Sequence, residues 1–575
     1  MTLKQRGNSL SNHPWYEEAI FYHIYPLGLT GAPKQNPYGE VEHRLLTLLP
    51  WVSHIAKLGF TGLYIGPLFE SVGHGYETTD YRKVDSRLGT NEDLRKFVDT
   101  CHGMGIKVIL DGVFNHTGRD FFAFQDLKRN RENSAYKDWY CNVNFWGNNS
   151  FDDGFSYENW GGYDLLVKLN QKNPAVRDYI CDVVEFWVHE FDIDGIRLDA
   201  ADVLDFEFMG ALRQKADTVK PDFWLMGEVI HGDYTRWVNK QTLHSVTNYQ
   251  LHKALYSGHN DHNYFEIAHT IKYLQEKFSG RLQDFSLYNF VDNHDVERIY
   301  TKLNEKEHMV PVHILLYTLK GVPSVYYGSE FGIMGKKERG SDDSLRPALD
   351  LQQFEEALLG NGEAGKWYNL IQRLGEARRK WKGLSFGDFR ELHLSNRQYA
   401  FSRTYEGQTV IVTVNNDSQS VHLDVPIGES GEYVGLLSGQ RVEVLDGHMN
   451  IVVPGNGGEI WVPCTEETLL MQPNQQRGQC LEAAKEQPAV QPASQPEGQV
   501  KEQSAPQPEG QEQEEPQAQQ QQIPWDIPYE EMTIAQLQQV IYAKMKANGP
   551  VTDRMYQDIM ENVYHDSLVT WAKSF

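Results

Sequence analysis

Between residues 19 and 332 the chain alternates between two hydrophobic periods. Short runs rich in β-branched and aromatic residues give way to longer stretches whose apolar positions recur every three or four residues. IFYHIY (20–25) precedes LLTLLPWVSHIAKLG (45–59), and GLYIGP (62–67) precedes EDLRKFVDTCHGMG (92–105). KVILDGVFNH (107–116), GIRLDA (195–200), FWLMGE (223–228), SVTNY (245–249), LYNFVDNHD (287–295) and PSVYYG (323–328) complete a set of eight strand-like runs. Eight strands, each followed by helical material, predict a parallel (β/α)8 TIM barrel of the α/β class over residues 1–382. One connection is too long for a simple loop. Its Asn-, Asp-, Trp- and Gly-rich text predicts a small domain inserted after strand three, at 117–170.

After residue 382 the period changes to two, as in YAFSRTY (399–405), TVIVTVNN (409–416) and EIWVP (459–463). That alternation predicts a C-terminal antiparallel β-sandwich over 383–464. Residues 465–523 are dominated by Gln, Pro and Glu, a composition that predicts a disordered linker because it buries too little to offset ordering. Helical spacing returns at 524–575, with Leu537, Val540, Ile541 and Met545 on one stripe and Met555, Ile559, Val563 and Trp571 on another. Gly549-Pro550 separates the two. Such a hairpin is marginal alone, so it is expected to dock on a protein partner or a second copy of the chain, with its own barrel as the alternative.

Length and charge narrow the function. The 575 residues exceed one compact domain, and the formal net charge of -25 disfavours nucleic acid and anionic membranes as partners. A neutral substrate fits better, and 30 Tyr, 26 Phe and 13 Trp supply flat faces against which sugar rings can stack. The five cysteines are widely spaced and suggest neither a zinc site nor a redox motif. The N-terminal text has no secretory h-region, and no apolar run is long enough to span a membrane. A cytoplasmic protein is the expectation.

In a parallel barrel, chemistry sits at the C-terminal strand ends. Those ends carry Asn115 and His116, then Arg197 and Asp199, then Glu228, and finally His294 and Asp295. Three carboxylates, two imidazoles and a guanidinium on one rim suit glycosyl transfer. One acid must attack the anomeric carbon while another protonates the leaving oxygen. Arg197, two residues from Asp199 on the same strand face, is expected to keep it ionised, and neighbouring acids are expected to raise Glu228.

DGVFNH (111–116), GIRLDAAD (195–202), GEVIH (227–231) and FVDNHD (290–295) resemble, in order, the four signature regions of glycoside hydrolase family 13, the alpha-amylase family. GLYIGPLFES (62–71), GVPSVYYGSE (321–330), VKLN (167–170) and HGYETTDY (74–81) resemble further motifs of its neopullulanase, cyclomaltodextrinase and maltogenic amylase subgroup. The resemblance covers roughly residues 15–463 and lacks the N-terminal β domain common in that subgroup.

By this resemblance Asp199 is the nucleophile, Glu228 the acid/base and Asp295 the third catalytic carboxylate, with Arg197 orienting Asp199. His116 and His294 would bond the sugar, Tyr76 would stack beneath it, and Asp342 and Arg346 would bind sugars further along. Asn115 matches a calcium ligand of many members; no organic cofactor is implied. Ile230 stands where the subgroup usually has Trp, and Asp202 where many α-amylases have Lys, so acceptor-side contacts differ. The implied activity is retaining hydrolysis of α-1,4-glucosidic bonds in maltooligosaccharides, cyclodextrins or related α-glucans. A glucanotransferase using the same intermediate, or a non-catalytic carbohydrate-binding relative, is the alternative.

Overall fold

The computed structural model describes residues 13–279, 285–428, 430–465, 468 and 534–548. The chain divides into a large unit, Met1–Pro488, and a small one, Ala489–Phe575.

Eight parallel strands form the centre of the large unit. They are β1 (Phe21–Ile24), β2 (Gly62–Ile65), β3 (Lys107–Gly112), β4 (Gly195–Leu198), β5 (Trp224–Gly227), β6 (Ser245–Val246), β7 (Tyr288–Phe290) and β8 (Val322–Tyr326). Hydrogen bonding runs in the order β6-β5-β4-β3-β2-β1-β8-β7, and a parallel bridge from Thr247 to Tyr288 closes the ring. Helices cover the outside and side chains fill the inside, so nearly every strand residue is buried on both faces. This explains why the strands read as continuous apolar runs.

The barrel interior changes character along its axis. Phe21, Tyr64, Ile109, Trp224, Met226, Tyr288, Phe290 and Val322 form one apolar cluster, and Trp15 and Tyr16 pack against it. Tyr16 stacks on Trp224 at 5.6 Å. Because side chains alternate faces with a period of two, the next inward positions are polar: His23, Asp111, Arg197 and Ser324. The apolar end is thus packed shut and the charged end is the rim.

The helix Pro174–Phe191, which leads into β4, shows how local sequence fixes the scaffold. Asn173 caps its first turn by accepting from the Ala175 amide, Pro174 suits a position needing no N–H donor, and Asp192 ends it in the left-handed region at φ 56°. Val176, Ile180, Val183, Val184 and Trp187 recur at helical spacing and are buried. Trp187 stacks on Phe69 at 4.3 Å, and its truncation to Ala would cost about 3–5 kcal/mol.

The insertion after β3 contains the helix Phe122–Asn130 and a three-stranded antiparallel sheet of His116–Thr117, Tyr163–Lys168 and Asn159–Trp160. Beyond the barrel lie eight antiparallel strands: β9 (Asp388–Leu394), β10 (Gln398–Tyr405), β11 (Gln408–Asn415), β12 (Val421–Pro426), β13 (Gly431–Gly435), β14 (Arg441–Leu445), β15 (His448–Val453) and β16 (Gly457–Pro463). Hydrogen bonds join them in one order, β9-β10-β11-β16-β13-β14-β15-β12, so the layers of the expected sandwich are continuous. Ile411, Val425, Val444, Met449, Ile451 and Trp461 form their shared core.

The Gln/Pro/Glu tract from 469 to 523 and the second tail helix lie outside the described residues. The first tail helix is Ile534–Asn548, and its stripe Leu537, Val540 and Ile541 is fully buried within the chain. No described helix is long and apolar enough to cross a membrane.

Candidate active site

Strands β3, β4 and β5 carry the centre of the rim. Their register sets Asp111 beside Arg197 and Arg197 beside Met226, so Asp199 and Glu228 each stand one inward step above the arginine. Gly227 permits the close approach just before Glu228: a Cβ there would meet Leu243 at 2.4 Å and Ala201 at 2.8 Å.

Arg197 is the hub. Its Nη1 donates to Asp111 Oδ1 and to Asp199 Oδ1, each at 2.8 Å, and its Nη2 pairs with Glu228 Oε1 at 2.8 Å. The guanidinium side chain is 3% exposed, whereas Asp199 and Glu228 keep 11% and 12%, so the two acids present narrow faces to the opening. The residue after Asp199 is Ala200, held at φ 46° and ψ 42°. A residue with a Cβ rarely adopts that region. Here it turns the Ala200 amide toward Glu228, donating to Oε2 at 3.1 Å. The strained turn therefore ties the ends of β4 and β5 together.

The β7 side contributes a second network. His294 Nε2 meets Asp295 Oδ2 at 3.0 Å. Arg346 Nη2 reaches Asp295 Oδ1 at 2.8 Å and Asp342 Oδ2 at 3.1 Å, while its Nε donates to the His294 carbonyl at 3.0 Å. Asp342 and Arg346 thus belong to the rim through Asp295 and are more than a remote surface pair. Tyr76 joins the two networks. Its hydroxyl contacts His294 Nε2 and donates to Asp111 Oδ2 at 3.3 Å, and its ring lies parallel to His294.

His116 makes two hydrogen bonds within the protein. Its Nδ1 accepts from Asn115 Nδ2 at 3.2 Å, and its Nε2 donates to the Tyr76 carbonyl at 3.1 Å. Burial pushes it down to about 3, so the ring is neutral. With both nitrogens occupied, His116 holds Tyr76 in place. Asn115 is fully buried and its Oδ1 has no hydrogen-bond partner. Calcium takes six to eight oxygens. Among the described residues no group of three or more His, Cys, Asp or Glu ligands lies at Asn115, so an ion there would draw on amide and backbone carbonyl oxygens.

Several contributors escaped sequence reasoning. Asp111 lies within DGVFNH and reaches the rim through the register of β3. Tyr64 donates to its Oδ2 at 2.8 Å. Tyr249 contacts Glu228 Oε1 at 3.5 Å and accepts from Asn293 Nδ2 at 3.2 Å. Lys337 donates to the Asp295 carbonyl at 2.9 Å.

Burial pushes the Asp199 carboxyl well above the usual range, and Glu228, Asp111 and Asp295 push the same way against Arg197. Arg197 is the opposing influence and favours the ionised form. Asp295 moves the other way. Burial raises it, but His294, Arg346 and Arg197 outweigh that and hold it well below the carboxylate range. Asp202 is raised by burial and by Glu228. The rim therefore holds one firmly anionic acid, Asp295, across from Asp199, whose carboxyl is pushed up.

A closed (β/α)8 barrel with an acid pair at adjacent strand ends, around one buried arginine, has the architecture of a carboxylate-based glycoside-cleaving enzyme. Sequence comparison agrees. The profile described as "Alpha amylase, catalytic domain" matches residues 50–358, and "Alpha-amylase C-terminal domain" matches 387–461. The chain belongs to the alpha-amylase family and is a glycoside hydrolase. It is 30% identical over 426 residues to a cyclomaltodextrinase of Thermoanaerobacter pseudethanolicus, covering 70% of this chain and 71% of that one. Neopullulanase 2 of Thermoactinomyces vulgaris is 30% identical over 486 residues, covering 79% and 80%. Among solved structures, a cyclomaltodextrinase superposes with a TM-score of 0.69 at 26% identity, covering 78% of this chain and 79% of that one. A debranching enzyme of Nostoc punctiforme gives 0.67 at 25% identity, covering 78% and 99%.

Proposed function

We propose that the chain hydrolyses α-1,4-glucosidic bonds with retention, with Asp199 as nucleophile and Glu228 as general acid/base. The observation that carries this reading is the single Arg197 guanidinium bonded to both acids at 2.8 Å. Neighbouring parallel strands lie about 4.8 Å apart, near the roughly 5–5.5 Å separation that double displacement requires. An Asp199 oxygen attacks the anomeric carbon as the glycosidic oxygen takes the Glu228 proton and leaves. Glu228, now a base, removes a proton from water; the water oxygen attacks the same carbon, and Asp199 departs as carboxylate. Asp295 stays anionic and, with His294, accepts and donates hydrogen bonds to the hydroxyls of the bound sugar. Tyr76 offers its ring face, positioned by His116. Asp342 and Arg346 extend the polar wall away from the acid pair. No step is assigned to calcium.

The names of the relatives support maltooligosaccharides, cyclodextrins and related α-glucans as substrates. An intracellular maltogenic amylase of Bacillus subtilis, 29% identical over 382 residues and matched over 60% of this chain and 64% of that one, supports a place inside the cell. Proton NMR during early hydrolysis of maltotriose tests the mechanism. The α-anomer should appear first, and early β-product would rule out the double displacement.

A further inference from the structure

Beyond Arg346 lies a cavity of about 280 Å³ on the outer shoulder of the barrel. Two segments that leave neighbouring strands build it. One follows β1, from the helix Pro26–Leu29 to the helix Leu49–Lys57, and the other follows β8, from Ala348 to Gln353. Backbone contacts fix them against each other. A Cβ on Gly28 would meet the Arg346 carbonyl oxygen at 2.4 Å, and the Leu349 amide donates to the Leu29 carbonyl at 3.2 Å. Leu349 is three residues past Arg346, so the cavity wall begins at most about 11 Å from the arginine.

We propose that this cavity binds one glucosyl unit of an α-glucan chain, outlying from the acid pair on the side of Asp342 and Arg346. The inference rests on the α-glucan reading above. Leu29, Leu48, Trp51 and Leu349 give the cavity an apolar side, with Leu48 and Trp51 only 2% and 4% exposed. The other side offers hydrogen-bond acceptors. The Thr30 and Thr47 hydroxyls spend their protons on the Pro26 and Arg44 carbonyls, at 2.8 and 2.7 Å, which leaves oxygen lone pairs for a ligand. Asp350 adds a carboxylate whose Oδ1 takes the Gln352 amide at 3.0 Å, and Gln353 adds an exposed carboxamide. None of the lining side chains is cationic.

These groups select the ligand class. An anion would meet the Asp350 carboxylate and two hydroxyl oxygens with no cation to hold it. A metal dication would find a single carboxylate. A wholly apolar molecule would leave the same oxygens dry and unpaired. A sugar ring satisfies both sides, since its hydroxyls donate to the oxygens and its C–H face packs on the apolar side chains. The volume lies just under the usual range of small-molecule sites, which suits a single ring.

Asp350→Ser combined with Gln353→Ala in the full chain tests the site. Serine still accepts the Gln352 amide as a helix cap, and Gln353 is exposed, so the fold survives. KM for maltoheptaose should rise about 10-fold, as two lost hydrogen bonds imply, with kcat unchanged. Both constants on maltotriose should stay as they are. Cleavage of a trisaccharide needs at least one ring on the leaving side, so at most two remain for Asp295 and Arg346 and none for the cavity. An unchanged KM on maltoheptaose, or an equal rise on both sugars, would overturn the site. Calorimetry of maltoheptaose binding to the chain carrying Glu228→Gln separates the site from turnover. If the parent chain cleaves neither sugar, the activity reading fails on its own and the calorimetry decides. Affinity about 10-fold weaker in the combined variant then keeps the site, and undiminished affinity overturns it.

Discussion

Replacing Asp111 by Asn tests whether the rim works as one electrostatic unit. Asp111 is fully buried, and its contacts are Arg197 at 2.8 Å, the Tyr64 hydroxyl at 2.8 Å and the Tyr76 hydroxyl at 3.3 Å. Removing one partner from an isolated buried ion pair costs about 3–5 kcal/mol, because the other charge is left uncompensated. Arg197 is not left so, since Asp199 and Glu228 still bind it. The expected loss is that of one charged hydrogen bond, about 1.5–3 kcal/mol, because the Asn carbonyl still accepts from Tyr64. The urea midpoint should fall with the slope unchanged.

The same substitution should move the pH dependence in a defined direction. Asp111 is one of the groups that raise Asp199, so Asp111→Asn lowers that carboxyl. Attack requires ionised Asp199. The acidic limb of kcat/KM therefore shifts to lower pH in the variant, even though absolute turnover falls as Arg197 loses an anchor. Initial rates on maltotriose across the acidic range measure the shift. A limb that stays in place or moves upward would refute the shared-charge account. A stability loss well beyond about 5 kcal/mol would show that Asp199 and Glu228 do not compensate Arg197.

Asp199→Asn and Glu228→Gln should each reduce turnover by about four orders of magnitude or more, with the double variant little worse; purified variants with near-normal activity would end the assignment. Ala200→Gly should stabilise the fold by up to about 1 kcal/mol in urea denaturation by relieving the left-handed turn. It should also lower kcat by freeing the amide that holds Glu228, so unchanged kcat would remove that amide from the mechanism. Folding stability should fall as pH rises through the Asp199 titration, because its raised carboxyl favours the folded state only while protonated; a midpoint rising across that window would contradict the direction.

How far this could be read without coordinates depended on the range of the interaction. The barrel was legible because strands buried on both faces leave apolar runs whatever their neighbours are. The shared face of Arg197 and Asp199 was legible because it needs only the period of two along β4. The hub was not, because Asp111 becomes a partner of Arg197 through the register of β3 against β4, and no single strand records its register. The available signal was Asp111 itself, two residues beyond Ile109 on the inward face of the same strand. The charges around Asp199 are spread in the same way: Arg197 stands on its own strand, whereas Asp111 arrives from β3 and Asp295 from the end of β7. His116 shows the limit for a single side chain, since its motif named the imidazole but not the carbonyl and amide that occupy both nitrogens.

These long-range contacts also decide the chemistry. Two acids cannot both be nucleophile and both be proton donor, and composition alone gives each the same claim. The distinction comes from what surrounds the pair. Asp295 is held anionic by His294 and Arg346, whereas burial pushes the Asp199 carboxyl up. Among the acids bonded to Arg197, Asp111 is sealed from solvent, whereas Asp199 and Glu228 reach the opening. Substrate entering there meets two acids on adjacent strand ends beside a third that stays anionic, and a double displacement needs such an unequal set to begin.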